Sequence, residues 1–96
     1  MPRDLHPTDG ARYLLERVED GAAAARYRAT IFTPDATFVA EARLASDGKV
    51  EVGDTGAPAE LHARLISIVK LIARDAGKLA ADGMPAWPAR ILRWRR

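Results

Sequence analysis

Residues 58–82, PAELHARLISIVKLIARDAGKLAAD, are the stretch of sequence that decides the fold. Apolar residues recur there at spacings of three and four, which places them on one side of an α-helix. The pattern therefore predicts one long helix, with Pro58 in its first turn and a stop at Gly83-Met84-Pro85. The apolar positions that define this side of the helix are Leu61, Leu65, Ile68, Ile72, Ala76 and Leu79.

The apolar arc of this helix is wider than packing against one sheet requires. It spans roughly 160° of the helical wheel, whereas a helix lying on a single sheet needs nearer 100°. Ile66, Val69 and Ala73 lie toward one side of the arc, so we expect a second cover for them, either the C-terminal residues or another chain. Gly77 costs the helix about 1 kcal/mol relative to alanine, which indicates a bend or the close approach of another backbone.

The segment before the helix divides into four apolar-rich runs separated by turn signals. No connection is long enough for a parallel crossover, so the runs predict a four-stranded antiparallel meander in the order 1-2-3-4. With the helix packed on one face, the fold class is α+β with element order β-β-β-β-α. The runs are residues 11–20, 23–33, 36–45 and 49–53, and the turns are Asp20-Gly21, Pro34-Asp35 and Ser46-Asp47-Gly48.

Each turn predicts a register of strand pairing, and a slip of one residue would exchange the two faces of the sheet. The first turn places Leu14 opposite Tyr27, the second places Ile31 opposite Phe38, and the third places Leu44 opposite Val50. Together the registers predict one apolar face for the helix, on which Glu16 is the only misfit. The members of this face are Leu14, Val18, Ala25, Tyr27, Ala29, Ile31, Phe38, Ala40, Ala42, Leu44, Val50 and Val52.

The opposite face of the predicted sheet carries arginines beside aromatic side chains. The registers place Arg26 next to Arg43, with Arg28 one row along, although Glu41 and Glu51 fall on the same face. Arginines attract phosphate, and aromatic rings stack on bases. The resulting candidates for binding nucleic acid are Arg26, Arg28, Arg43, Tyr13, Phe32, Arg93 and Arg95.

The two ends of the chain differ in character from the residues between them. We expect residues 1–10 to form a flexible arm with a solvated His6, residues 11–84 to form a single α+β domain, and residues 85–96 to form a basic aromatic tail. Residues 90–95 of this tail are able to add an edge strand. Apolar docking of a partner protein has its own candidates, which are Ile66, Val69, Ala73, Trp87 and Trp94.

The composition restricts the class of protein but says little about its activity. The 96 residues suit one domain, and the net charge of +2 divides into 7 basic against 11 acidic residues in 1–63 and 8 against 2 in 64–96. The chain has no cysteine, which excludes disulfides and thiolate metal sites and is compatible with a cytoplasmic location. No apolar run is long enough to span a membrane, and the first ten residues do not resemble a signal peptide.

Motifs for catalysis or cofactor binding do not stand out in the sequence. Most carboxylates fall in turns, where short acidic side chains serve turn geometry. Ser67 lies on a different side of the helix from His62, and no glycine-rich phosphate loop precedes the helix. Two histidines without cysteine do not make a metal-ligand set. We therefore expect a protein that is not an enzyme and that uses no metal and no cofactor.

The order of elements, four antiparallel strands and then a long helix, resembles the single-stranded nucleic-acid-binding domains of the Whirly and Pur-alpha type. That resemblance implies a dimer or paired repeat that binds strands on a curved basic sheet face. It favours the first hypothesis, a small domain that binds single-stranded DNA or RNA and forms a homodimer. The alternative is a protein–protein interaction or accessory module that docks a partner through the apolar helix edge or the tryptophans of the tail.

Overall fold

The computed structural model describes residues 6–21 and 23–95. One antiparallel sheet carries a single α-helix on one of its faces, so the α+β fold is confirmed, with five strands rather than four. The helix of this part of the chain is not long and apolar enough to cross a membrane. The elements are β1 (Ala11–Asp20), β2 (Ala24–Phe32), β3 (Thr37–Ala45), β4 (Val50–Val52), α1 (Ala59–Ala81) and β5 (Arg90–Arg95).

The strands lie in the order β4-β3-β2-β1-β5. The first four therefore keep the predicted meander, and the tail supplies a fifth strand that pairs with β1. Each neighbouring pair is antiparallel, so β4 and β5 run in the same direction at opposite edges of the sheet. The helix α1 connects these two edges across one face.

Two of the three predicted registers are confirmed. Ile31 pairs with Phe38 between β2 and β3, and Leu44 pairs with Val50 between β3 and β4. In both cases a short turn and the alternation of apolar side chains favour the same register, which explains why the sequence predicts it correctly.

The predicted register between β1 and β2 is wrong. Tyr13 pairs with Ile31, and a β-bulge interrupts the pairing between Arg17 and Glu19. Leu14 and Glu16 therefore lie on the outer face of the sheet, whereas Tyr13 moves to the helix side, where it has 0% exposure. Burying an aromatic ring instead of a carboxylate favours this register, because unpaired buried charge is costly.

The side of the helix that faces the sheet is displaced from the predicted one toward Val69 and Ala73, although Leu65, Ile68 and Ala76 are buried as predicted. Val69 and Ala73 are fully buried, in the same core cluster as Trp87 and Ile91 of the C-terminal residues. Ile66 is only half-buried. The buried residues of α1 are Leu65, Ile68, Val69, Ala73 and Ala76.

The end of α1 matches the predicted stop. Gly83 has a φ of 73°, and the N–H of Met84 donates to the carbonyl of Leu79 over 2.8 Å. A second bond joins the N–H of Gly83 to the carbonyl of Ala80, which completes a Schellman motif. The motif turns the chain away from the helix axis, and the following residues return toward β1.

The segment between α1 and β5 is anchored to the core. Trp87 is buried with 5% exposure. The hydroxyl of Tyr27 donates to the carbonyl of Pro88 over 2.6 Å, and the guanidinium of Arg17 donates to the carbonyl of Trp87 over 2.6 Å. These bonds fix the position at which β5 begins.

The described part of the N-terminal arm packs against the sheet. One ring nitrogen of His6 lies 2.7 Å from the carbonyl oxygen of Thr33, and the ring meets Phe32 edge to face at 5.4 Å. The expectation of a solvated His6 without a partner is therefore wrong, because Phe32, Thr33 and Thr37 all contact its ring. Residues 1–5 of the predicted arm lie outside the described residues.

Candidate interaction surfaces

The outer sheet face, the side of the sheet away from α1, carries arginines and glutamates side by side. The registers form two charged rows across the strands, one through Arg28 and one through Arg26. These rows carry no net charge, because each contains two arginines and two glutamates. The rows are Glu41–Arg28–Glu16–Arg90 and Glu51–Arg43–Arg26–Glu19.

Glu41 supplies the counter-ion for the neighbouring arginines of this face. Its carboxylate lies 3.0 Å from Nε of Arg43 and 3.8 Å from Nη1 of Arg26. Glu19 pairs with Arg26 as well, at 3.1 Å. The hydrogen bond and charge of Glu41 raise the pKa of Arg43. The two arginines that the registers force together are therefore neutralised within the protein.

The apolar part of the outer sheet face lies toward the N-terminal end of β1. Leu14 and Thr30 are buried at its centre, and Val39 at its margin is 54% exposed. Trp94 of β5 extends this region, with 42% exposure, and its indole donates to the carbonyl of Asp9 over 3.2 Å. The region is thus a mainly apolar strip, with Arg12 between Phe32 and Trp94, beside two charged rows whose net charge is zero.

The seven residues predicted to bind nucleic acid do not form one surface. Arg26, Arg28, Arg43 and Phe32 lie on the outer sheet face, as predicted. Tyr13 is part of the core, where burial raises the pKa of its hydroxyl against the opposing effect of the Arg64 charge. Arg93 and Arg95 lie on the helix side, because they pair with Tyr13 and Ala11.

The five residues predicted for apolar docking are also separated. Val69, Ala73 and Trp87 belong to the core, so they are inaccessible to a partner. The indole N–H of Trp87 is buried without a hydrogen-bond acceptor in the described part of the chain. Ile66 is half-buried, and Trp94, at 42% exposure, is the most exposed member of the group.

The free edge of β5 is the surface that sequence reasoning did not single out. The N–H of Arg17 donates to the carbonyl of Ala89 over 2.9 Å, so this register pair is a hydrogen-bonded one. Bonding alternates along antiparallel strands, and Ile91, Arg93 and Arg95 therefore turn their N–H and C=O groups toward β1. The same groups of Arg90, Leu92 and Trp94 point outward, where no strand of residues 6–21 and 23–95 pairs with them.

Two arginine side chains fold over this edge. Nη1 of Arg93 donates to the carbonyl of Leu92 over 3.1 Å, and Nη1 of Arg95 donates to the carbonyl of Trp94 over 2.9 Å. Both carbonyls belong to the outward-pointing set. Each bond is exposed and links adjacent residues, so it covers the backbone without closing the edge.

An open groove runs beside β5 on the helix side. Its volume is about 340 Å³, and basic and apolar side chains line it together. Arg95 forms the β5 wall, whereas Arg64 and Leu71 come from α1. Arg93 and Arg95 make the helix side of β5 basic, in contrast to the charged rows of the outer sheet face, whose net charge is zero. No group of three or more His, Asp or Glu side chains in the described residues is placed to hold a metal ion.

No family model, curated protein or solved structure matches this chain. The resemblance to the Whirly and Pur-alpha domains therefore rests on the order of elements alone.

Proposed function

We propose that the chain is a protein-interaction module, not an enzyme, that binds an extended segment of another protein along the free edge of β5. The observation that carries this proposal is the outward direction of the backbone N–H and C=O groups of Arg90 and Leu92, beside which no strand of residues 6–21 and 23–95 lies. An edge whose backbone groups have no strand partner is a template for a further strand. Strand addition of this kind is a recurring mode of peptide recognition, in which backbone bonds supply affinity and alternate side chains supply specificity.

The anchoring of β5 supports the proposal. Bonds from Tyr27 and Arg17 to the carbonyls of Pro88 and Trp87 hold the start of the strand, and Ile91 is buried in the core. A preformed edge loses little conformational entropy when a partner binds, so more of the contact energy appears as affinity.

Nucleic-acid binding is the second candidate function, and one observation favours it. Arg93 and Arg95 lie together on the helix side of β5, and Arg95 lines the same groove as Arg64. Affinity for nucleic acid comes mainly from neutralised phosphates and falls steeply with salt. The charged rows of the outer sheet face, where this function was first expected, are neutral in charge and favour it less.

The test of the proposed function is a substitution that blocks the edge without touching the pairing of β5 with β1. Leu92→Pro removes an N–H that points outward, and proline is tolerated in edge strands at such positions. Leu92→Ala is the matched control for the lost side chain. A thermal melt of each variant checks that the fold is retained.

The probes are fluorescent synthetic peptides of eight residues, one alternating glutamate with valine and one alternating lysine with valine, together with a thymidine oligonucleotide. We expect the full chain to bind at least one peptide, and Leu92→Pro to weaken that binding about tenfold relative to Leu92→Ala, equivalent to roughly 1.4 kcal/mol. Equal binding by the two variants contradicts the proposal. Oligonucleotide binding that weakens steeply with salt, without peptide binding, identifies the second candidate instead.

A further inference from the structure

We infer that the strand received by β5 is amphipathic, with acidic residues alternating with apolar ones. This inference rests on the proposed function and names the chemistry of the partner. It follows from the two sides of β5, which differ sharply in the side chains that an added strand meets.

The helix side of β5 is basic where an added strand lies beside it. Arg93 and Arg95 are exposed there, next to the groove that Arg64 lines from α1. Side chains that are opposite each other on neighbouring strands interact directly, and opposite charges stabilise the pairing. Every second residue of the partner faces this side, so acidic residues at those positions complement it.

The outer side of β5 is apolar at Leu92 and Trp94, and Arg90 precedes them on the same side. Leu92 is half-buried against the sheet, and the Trp94 ring is 42% exposed. The intervening residues of the partner meet these two side chains, and apolar residues there cover the exposed ring. The partner needs alternating acidic and apolar residues whether it runs parallel or antiparallel to β5, because successive side chains of any strand point to opposite faces.

The guanidinium groups of Arg93 and Arg95 make the edge selective. At present they donate to the carbonyls of Leu92 and Trp94, which an added strand needs as acceptors. A carboxylate attracts each guanidinium more strongly than a neutral carbonyl does, because charge-assisted hydrogen bonds are stronger. When the N–H groups of an acidic strand bond to these two carbonyls, its carboxylates give both arginines a new partner. A basic strand offers the arginines no such carboxylate.

A second copy of this chain does not meet the same requirement. β5 has the sequence RILRWR, with three arginines and no acidic residue. Pairing of two such strands would bring six arginines together without a carboxylate. Like charges on neighbouring strands destabilise the pairing, so the edge disfavours self-association and favours an acidic partner.

The experiment measures fluorescence anisotropy of three eight-residue synthetic peptides with the full chain at moderate salt. The first alternates glutamate with valine, the second alternates lysine with valine, and the third is the glutamate peptide with a central proline that cannot complete the backbone bonding. We expect the glutamate peptide to bind at least about tenfold more tightly than the other two.

Two double variants separate the local charge of β5 from the overall charge of the protein. Arg93→Glu with Arg95→Glu is expected to reverse the preference, so that the lysine peptide binds more tightly. Lys70→Glu with Arg74→Glu makes the same change in net charge on exposed positions of α1, and we expect it to leave the order of affinities unchanged.

The outcomes distinguish this inference from the proposed function. Equal binding of the glutamate and lysine peptides, or no reversal in the β5 variant, overturns the acidic preference and leaves strand addition intact. Binding of neither peptide, or equal binding of the proline-containing peptide, overturns strand addition itself. In that case Arg93 and Arg95 serve only to protect the edge.

Discussion

Gly77 of α1 lies against the backbone of Ser46, so closely that a β-carbon on residue 77 would be 2.6 Å from the Ser46 carbonyl oxygen. The glycine therefore marks a close backbone approach, one of the two explanations that the sequence left open. Through this contact the turn between β3 and β4 docks directly on the helix. The position of α1 over the sheet depends on the absence of a side chain at this residue.

Gly77→Ala is expected to destabilise the protein, although alanine normally stabilises a helix by about 1 kcal/mol relative to glycine. The added methyl group forces α1 away from Ser46, and overpacking of this kind costs about 1–3 kcal/mol. Urea unfolding measures the free energy. Ala80→Gly, at an exposed position of the same helix, measures the effect of helix propensity without a change in packing. A more stable Gly77→Ala variant would mean that the helix does not approach this turn.

The hydroxyl of Tyr27 predicts a loss of stability at alkaline pH. Burial raises its pKa to about 12, above the ordinary value of 10.0. The folded state therefore retains a proton that the unfolded state releases, and this contribution is complete below pH 10 and lost as the pH rises toward 12. Tyr27→Phe removes the titrating group and its bond to the Pro88 carbonyl.

We expect Tyr27→Phe to be less stable than the wild type at neutral pH, by about 0.5–1.5 kcal/mol for the lost hydrogen bond. The difference should shrink between pH 10 and 12, as the wild type loses its advantage. Thermal melts across this range measure it, and a difference that stays constant with pH would show that Tyr27 does not titrate with folding.

The ion pairs of Glu41 on the outer sheet face predict that removing its charge lowers the melting temperature in a salt-dependent way. Glu41→Gln leaves Arg26 and Arg43 adjacent, with Glu19 bonded to only one of them. We expect a small decrease in melting temperature at low salt that added sodium chloride reverses, because salt screens exposed like charges. Glu51→Gln removes the same charge from the end of the row and is the control. Equal effects of the two substitutions would mean that Glu41 has no special role.

Sequence reasoning predicted the central strands well because two independent signals agree there. The turns at Pro34-Asp35 and Ser46–Gly48 and the alternation of apolar residues favour the same pairing. Between β1 and β2 the signal is weaker, since residues 21–25 read Gly-Ala-Ala-Ala-Ala and have no side chains that prefer one register. The bulge beside Arg17 is equally invisible in the sequence, and with it the burial of Tyr13.

The site residues were harder to predict, because the face of the sheet on which each one lies depends on how its strand pairs with β1. An edge strand at residues 90–95 was recognisable, but the sequence does not say which strand it joins. Pairing with β1 places Arg93 and Arg95 on the helix side, away from Arg26 and Arg43. A helical wheel likewise defines an apolar arc but not its centre, which explains the misplacement of Val69 and Ala73.

Amide hydrogen exchange in the presence of the glutamate–valine peptide tests strand addition at β5 most directly. The N–H groups of Leu92 and Trp94 point away from β1, at one edge of the sheet. The N–H of Val52 in β4 points away from β3, at the opposite edge. We predict that saturating peptide slows exchange at Leu92 and Trp94 by at least about tenfold, the effect of roughly 1.4 kcal/mol of protection, and leaves Val52 unchanged. Unchanged exchange at Leu92 and Trp94, or protection that appears at Val52 instead, would contradict the account.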